Sequence, residues 1–244
     1  DLQLAGQAPR DSPAVRPDPK GVSMFRLPWP TRKDASTPVA LALQGGGAHG
    51  AYTWGVLDRL LEAGVPIEGI SGTSAGAMNA VALAEGWTTG GAEGARAALD
   101  RFWTAVGDSV PFHLELLQSL SPSGDGSLPS PMNMMLGLAR VFSPYQLNPF
   151  ELNPLRDVVR AQFDFERIRR ACPLKLFIAA TAVRTGKVRL FRTAELGEAA
   201  LLASACLPTL HHAVEIDGEH YWDGGFTANP AIYPLLYECD TPDL

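Results

Sequence analysis

Three short stretches of the sequence carry residue types that could do chemistry, and the first places a serine between glycines. Gly72-Thr73-Ser74-Ala75-Gly76 fits the pattern G-x-S-x-G, in which a serine on a sharp strand-to-helix turn presents its hydroxyl as a nucleophile. The pattern is common by chance, but here a predicted strand precedes it and a predicted helix follows it. We therefore interpret Ser74 as a nucleophile on an elbow that Gly72 and Gly76 permit; a structural turn serine is the alternative.

The second stretch is rich in glycine and runs from Gly45 to Gly50 with the sequence Gly-Gly-Gly-Ala-His-Gly. It follows the first predicted strand and opens the first predicted helix, so its backbone N–H groups would point outward at the positive end of a helix dipole. Such a position binds an anion. Two anions are open at this point: the pyrophosphate of a dinucleotide, and the oxyanion of a tetrahedral intermediate in acyl transfer.

The dinucleotide interpretation depends on Gly45, Gly47 and Gly50, which satisfy the pattern G-x-G-x-x-G, and on Glu68, which lies near the position of a ribose-binding acid. The oxyanion interpretation needs only preorganised amide donors. We favour the oxyanion because the next predicted strand ends in the elbow serine instead of an acid. The predicted members of the oxyanion hole are Gly45, Gly46, Gly47 and Ala75.

A base for the serine has to come from elsewhere in the chain. A serine hydrolase with this elbow and a histidine base carries that histidine late, after its acid. None of the five histidines follows Asp223, although an earlier acid could still pair with the late ones. The histidines are His49, His113, His211, His212 and His220. Asp223-Gly224-Gly225, which directly follows the strand-like residues 219–222, is the better candidate; an ordinary Asp-Gly turn is its alternative.

Strands and helices in alternation must position these residues. Residues 39–44 form a short apolar run that predicts a buried strand, residues 51–61 show helical spacing, residues 67–71 predict a second strand and residues 77–84 a second helix. Because strand, helix, strand and helix imply parallel strands with crossover connections, the sequence predicts an α/β fold. We expect a mostly parallel central sheet that helices cover on both faces.

Two hairpins are predicted later in the chain. Residues 174–183 and 187–191 are strand-like and flank a turn at Thr185-Gly186, while Asp217-Gly218 marks a turn between two shorter strands. Residues 107–154 break the rhythm with seven prolines, a loop rich in serine and glycine, and an apolar run that includes Met132, Met134 and Met135. We expect this insertion to be a flexible lid or acyl-binding cap; a helical excursion that packs on the core is the alternative.

The two ends of the sequence differ from the middle. Residues 1–38 hold seven of the 20 prolines and no apolar period, so we expect a disordered leader followed by one catalytic domain over residues 39–244. The last residues stop where another strand would begin, which indicates a truncated C-terminus. The sequence starts at Asp1 without a methionine and is compatible with an upstream signal or anchor; the default expectation is a soluble or peripheral, cytoplasmic protein.

Composition excludes several classes of function. The 244 residues are 46% apolar and 19% charged, which is ordinary globular usage, and the net charge of −6 argues against a partner that presents nucleic-acid phosphates. No apolar run approaches the ~18 residues of a membrane helix. Cys172, Cys206 and Cys239 are scattered and lack metal-site spacing, so we expect neither a disulfide nor a metal site.

Taken together, the three stretches resemble the patatin-like phospholipase family, which combines a glycine-rich oxyanion loop, G-x-S-x-G and a late D-G-G or D-G-A. The resemblance covers residues 39 to about 237, and Ser204-Ala-Cys-Leu-Pro208 is also similar to a serine-containing, proline-ended segment that this family carries before its aspartate. His49 departs from the pattern, because the family usually has Arg or Lys at that position.

The resemblance implies a three-layer α/β/α fold and a Ser74–Asp223 dyad that works without histidine, metal or cofactor. It implies a lipid acyl-ester substrate, either phospholipid or neutral, with simple esters and polyesters still open, and it is compatible with peripheral contact with a membrane. Two other functions stay open from the residues alone: a nucleotide-binding oxidoreductase that uses residues 45–50, and a non-catalytic lipid-binding scaffold.

Overall fold

A computed structural model of the protein describes residues 37–109, 143–241 and 243–244. The predicted leader lies outside these residues apart from positions 37 and 38, and so does the central part of the predicted insertion, 110–142. The disordered leader and the lid therefore stay predictions. The methionines at 132, 134 and 135 lie in the same undescribed part of the chain.

The described residues form one sheet with helices around it. The strands are β1 Val39–Leu43, β2 Ile67–Thr73, β3 Lys175–Ala182, β4 Lys187–Arg192, β5 Val214–Ile216 and β6 Glu219–Asp223. The α-helices are α1 Gly50–Glu62, α2 Ala75–Ser109, α3 Pro144–Leu147, α4 Pro154–Gln162, α5 Phe165–Ala171, α6 Glu198–Ser204 and α7 Tyr233–Glu238. Short 3-10 turns cover Gly47–His49, Thr193–Glu195 and Gly224–Phe226.

The predicted α/β fold is confirmed, and the sheet is mixed. β1, β2 and β3 are parallel neighbours, whereas β4 and β6 pair with β3, and β5 with β6, in the antiparallel sense. The antiparallel share is larger than expected because both predicted hairpins form within this one sheet. Their turns use Gly186 with φ 64°, and Asp217 and Gly218 with φ 54° and 80°, the left-handed conformations that tight hairpin turns require.

Alternation along β3 shows how the two faces of the sheet are covered. Leu176, Ile178 and Ala180 belong to the large apolar cluster made with α1, α2 and α4–α6. Phe177 points to the other face and packs with Leu235 of α7, as the period of two in a strand requires. Helices thus lie on both faces, with most of the core on the α2 side.

The predicted second helix, residues 77–84, is the beginning of the much longer α2. Every residue from Ala75 to Gly86 is buried. The sequence of this part therefore has no amphipathic period from which the length of the helix could be predicted. The backbone leaves helical geometry at Gly90 and Gly91, so α2 consists of two helical parts joined by a kink. Its first part is the one that follows the elbow.

The two edges of β3 are used differently, and this arrangement positions the site. β4 pairs with Phe177–Ala182 along one edge. On the other edge β2 pairs with residues 175–179 and β6 with residues 180–182. β2 runs parallel to β3 and β6 antiparallel to it, so the C-terminal ends of β2 and β6 meet head-on along a single edge.

Candidate active site

Ser74 alone makes the turn between a strand and a helix. β2 ends at Thr73 and α2 begins at Ala75, and Ser74 between them has a φ of 55°. A non-glycine residue in this left-handed region is strained and persists only where the surrounding structure holds it. The side chain is half-buried. This is the strand–turn–helix context that the elbow motif requires.

The glycines of the elbow are needed for close backbone approach. A Cβ on Gly72 would lie 2.7 Å from the carbonyl oxygen of Gly76, and a Cβ on Gly76 would overlap the carbonyl group of Leu43 at the end of β1. A side chain at either position would push the start of α2 away from the sheet. Both residues therefore act through their lack of a side chain.

Asp223 ends β6 and lies beside the elbow. Its pairing partner on β3 is Ala180, and Thr73 pairs with the preceding residue, Ala179. Because the two strand ends occupy successive positions on one edge, Ser74 and Asp223 are brought together although they are far apart in the chain. The two side chains are close enough that Ser74 lowers the pKa of the Asp223 carboxyl.

The Asp223 carboxylate is almost completely removed from solvent, with 3% of the residue exposed. Burial raises its pKa above the ordinary value, because water no longer stabilises the charged form. The Gly225 amide, which donates to Oδ1 at 2.7 Å, and the Ser74 side chain act in the opposite direction and lower the pKa. Burial is the largest of these causes.

The glycine-rich loop places its amides next to Ser74. Gly46 and Gly47 have φ of 159° and 57°, and a Cβ on Gly45 would lie 2.8 Å from the Cβ of Ser74. The carbonyl oxygen of Gly46 accepts from the backbone N–H of His49 at 3.2 Å and lies 3.1 Å from its Nδ1. Because C=O and N–H point in opposite directions across a trans peptide, this contact also fixes the direction of the Gly47 N–H.

Two amides near Ser74 are already occupied. The Gly45 N–H donates to Oδ1 of Asn229 at 2.5 Å, and the N–H of Ser74 itself donates to Oγ of Ser204 at 3.0 Å. Within the described parts of the chain, no hydrogen-bond partner is found for the amides of Gly46, Gly47 and Ala75. Three of the four predicted oxyanion-hole members thus offer a free donor, while Gly45 packs against Ser74 and donates elsewhere.

Within the described parts of the chain, no histidine is found hydrogen-bonded to Ser74. His211, His212 and His220 line a cavity of about 520 Å³ beside α6, and neither Ser74 nor Asp223 is among its lining residues. His212 stacks on Tyr145 with ring centroids 4.0 Å apart, and its Nδ1 lies 3.3 Å from a carboxylate oxygen of Glu151. His113 lies outside the described residues. The geometry therefore supplies an aspartate next to Ser74 and no histidine.

The acid that a dinucleotide site would use lies at the wrong end of its strand. Glu68 is near the start of β2, whereas the glycine-rich loop follows the far end of β1, which pairs with Gly72. Its carboxylate accepts from Lys175 Nζ at 2.7 Å and from the amides of Asp240 and Thr241, each at 2.8 Å. Glu68 thus joins the C-terminal segment to the sheet and is not placed to hold a ribose.

Sequence reasoning did not identify two side chains that support the site, Asn229 and Thr181. Thr181 Oγ1 donates to the backbone carbonyl of Asp223 at 2.9 Å, and Asn229 accepts from Gly45 as described above. The partners are 42 and 184 residues away in sequence, so no local pattern reports them. Ser204 belongs to the segment Ser204-Ala-Cys-Leu-Pro208, which the sequence analysis identified, but its bond to the backbone N–H of Ser74 was not predicted.

Neither a metal-binding cluster nor a membrane-spanning helix is found in the described residues. There, no group of three or more histidine, cysteine, aspartate or glutamate side chains is placed to hold a metal ion. No helix within residues 37–109, 143–241 and 243–244 combines the length and the apolar character needed to cross a membrane.

Curated proteins similar to this chain include two uncharacterized NTE family proteins, one from Mycobacterium bovis and one from Mycobacterium tuberculosis. Each is 42% identical over 98 residues, which is 40% of this chain and 14% of the relative. The chain thus spans about one seventh of the length of these relatives.

Solved structures similar to this one include VipD from Legionella pneumophila and the ExoU–SpcU complex of the Pseudomonas aeruginosa type III secretion system. The match to VipD has a TM-score of 0.44 and 17% identity, and covers 78% of this chain and 46% of VipD. The match to the second structure has a TM-score of 0.33 and 20% identity, and covers 69% of this chain and 36% of the other. A sequence model described as "Patatin-like phospholipase" matches residues 41–236, and the chain therefore belongs to the patatin-like phospholipase family.

Proposed function

We propose that the protein is a serine acyl-ester hydrolase that acts on lipids through Ser74 and Asp223. The observation that carries this proposal is the meeting of the two residues at successive positions on one edge of β3, where the side chain of Ser74 lies beside a buried carboxylate and lowers its pKa. A nucleophile within hydrogen-bonding reach of a base is the arrangement that covalent catalysis requires. Membership of the patatin-like phospholipase family supports a lipid acyl ester as the substrate.

In the proposed first step the Ser74 hydroxyl oxygen attacks the ester carbonyl carbon and its proton passes to Asp223. The carbonyl oxygen becomes an oxyanion that the free amides of Gly46, Gly47 and Ala75 stabilise. Collapse of this intermediate breaks the ester bond, and the leaving alkoxide takes the proton from Asp223. The products of this step are the acyl-enzyme on Ser74 and the released alcohol.

In the second step water attacks the acyl-enzyme and gives a proton to Asp223. The second tetrahedral intermediate uses the same amides, and its collapse releases the fatty acid and returns the proton to Ser74. An ordinary aspartate is a weak base for a hydroxyl group, and base catalysis improves as the pKa of the base approaches the working pH. The burial that raises the pKa of Asp223 acts in that direction.

The decisive experiment combines ester hydrolysis over a panel of phospholipids, neutral lipids and short-chain esters with labelling by a fluorophosphonate probe. Ser74→Ala should abolish both turnover and labelling. The matched control is Ser71→Ala, because Ser71 lies on the same strand with a fully buried hydroxyl that has no partner in the described residues. Turnover that survives in Ser74→Ala, within about tenfold of the wild type, would contradict the assignment.

The same assays separate the alternatives. A histidine base is tested by changing His211, His212 and His220 to glutamine one at a time, and we expect turnover within about threefold of the wild type for each. An indispensable late histidine, together with an active Asp223→Asn variant, would replace the dyad by a triad. A wild-type protein that binds lipid vesicles without labelling or hydrolysis would instead be a non-catalytic scaffold.

A further inference from the structure

A three-residue segment at the end of α6 contacts both members of the proposed dyad. Ser204 is the last residue of α6, and its Oγ accepts the backbone N–H of Ser74 at 3.0 Å. Two residues later the carbonyl oxygen of Cys206 accepts the backbone N–H of Asp223 at 2.8 Å. One turn of chain therefore holds the amide of the nucleophile and the amide of the base.

The Ser204 side of the contact to Ser74 is enclosed by protein, while Ser74 itself is half-buried. Ser204 is completely buried and Cys206 is 2% exposed, so water could not easily take the place of a missing hydroxyl. Where water cannot replace the lost partner, an unpaired amide costs more than the net value of the hydrogen bond it has lost. The amide concerned belongs to a residue whose backbone is already in a strained conformation, with a φ of 55°.

The direction of the Ser204 side chain is informative. A serine near the end of a helix commonly bonds back to a carbonyl of its own preceding turn. Among the described residues, Ser204 Oγ instead binds the backbone N–H of Ser74, which lies 130 positions away in sequence on the strand-to-helix turn. The hydroxyl thus contributes to the conformation of the elbow rather than to that of its own helix.

We propose that Ser204 is a positioning residue that keeps Ser74 in its left-handed conformation and at a fixed distance from Asp223. This inference depends on the proposed function, because it concerns the geometry of the same reaction. Ser204 touches no reacting atom and acts through the backbone of Ser74. The carbonyl of Cys206, two residues after the end of α6, binds the backbone N–H of Asp223. The same short segment therefore positions both members of the dyad.

The test compares Ser204→Ala and Ser204→Cys with the wild type in steady-state ester hydrolysis and in the rate of fluorophosphonate labelling. We expect kcat and the labelling rate to fall about tenfold or more in the alanine variant, with KM within about threefold because no substrate contact is removed. The cysteine variant should be intermediate, since sulfur is a weak acceptor. If the alanine variant does not fold, the cysteine variant tests the proposal: a lower kcat supports it and a wild-type kcat overturns it.

Thr193→Val is the matched control. Near the opposite end of β3, Thr193 Oγ1 accepts a backbone N–H from Leu176 at 2.8 Å and donates to the Leu174 carbonyl at 3.2 Å. Its removal thus deletes the same kind of accepting bond, and one donating bond besides, away from Ser74. The melting temperature of each variant reports whether it folds. A lower kcat in Ser204→Ala but not in Thr193→Val supports the proposal that Ser204 positions Ser74. A wild-type kcat in the Ser204 variants, while Ser74→Ala is inactive, overturns the inference alone. A fully active Ser74→Ala overturns the proposed function, and the inference with it.

Discussion

At the scale of single residues, the burial of Asp223 has opposite consequences for activity and for stability. The pKa of the carboxyl is raised above its ordinary value of 3.8 in the folded protein, chiefly by burial. Between the ordinary and the raised pKa, the folded state therefore holds a proton that the unfolded chain releases. The free energy of unfolding falls as the pH rises through this window, and the ionised carboxylate lowers stability at neutral pH.

Asp223→Asn should therefore inactivate the protein and stabilise it. We expect a loss of about 10²–10⁴-fold in kcat, the usual contribution of a general base, together with a higher melting temperature at neutral pH. The gain in stability should shrink as the pH falls towards 3.8, where the wild-type carboxyl also becomes neutral. Thermal unfolding of both proteins across that pH range checks the prediction. A less stable asparagine variant at neutral pH would mean that the bonds from Gly225 and Ser74 outweigh burial.

The pH dependence of turnover should report the same carboxyl. Because the base must be ionised to accept the proton of Ser74, kcat/KM should increase with pH and reach half its maximum above pH 3.8, the ordinary pKa of an aspartate. The residual activity of Asp223→Asn should lack this ascending limb. A profile whose limb is the same in both proteins would assign the titration to another group.

At the scale of elements, the start of α2 is held against the end of β1 by the absence of a side chain at Gly76. Gly76→Ala places a Cβ against the carbonyl of Leu43, and we expect a loss of about 1–3 kcal/mol in the free energy of unfolding. The elbow two residues earlier should shift as well, so kcat should fall. Denaturant unfolding and ester turnover measure the two effects.

Gly55→Ala is the control for that change. Gly55 lies inside α1, and a Cβ at this position would meet nothing within 4 Å. Replacement by alanine should therefore stabilise the protein by up to about 1 kcal/mol, the difference in helix propensity, with turnover unchanged. Equal effects of the two alanines would show that the close approach at Gly76 is not a constraint.

Local patterns predicted the elements of the site but not their assembly. The elbow was readable because the glycines, the serine and the flanking strand and helix all lie within a few residues of Ser74. No local pattern predicted that β2 and β6 share one edge of β3, because strand register depends on pairings between distant segments. The same limit applies to Gly45, whose predicted role as a donor could not account for Asn229, a partner from the other end of the chain.

At the scale of the whole molecule, the candidate site is divided between two distant parts of the sequence. The first part contributes Ser74 and the glycine-rich loop, and the second contributes Asp223, Ser204 and Asn229. Side-chain bonds connect the two parts: Thr73 Oγ1 donates to the Ala228 carbonyl at 2.8 Å, in addition to the bonds from Ser74 and Gly45. Neither part contains both a nucleophile and a base, so neither could perform the proposed reaction alone.

The head-on meeting of β2 and β6 also has a consequence in time. A ribosome adds Ser74 roughly 150 residues before Asp223, which corresponds to roughly 7–30 s of synthesis at ordinary rates. For roughly the first 100 residues of that interval β3 is itself not yet made, and afterwards its edge has no partner where β6 will pair. The nascent chain therefore carries the candidate nucleophile without its base, and we expect the proposed hydrolysis to begin only after β6 has paired with β3.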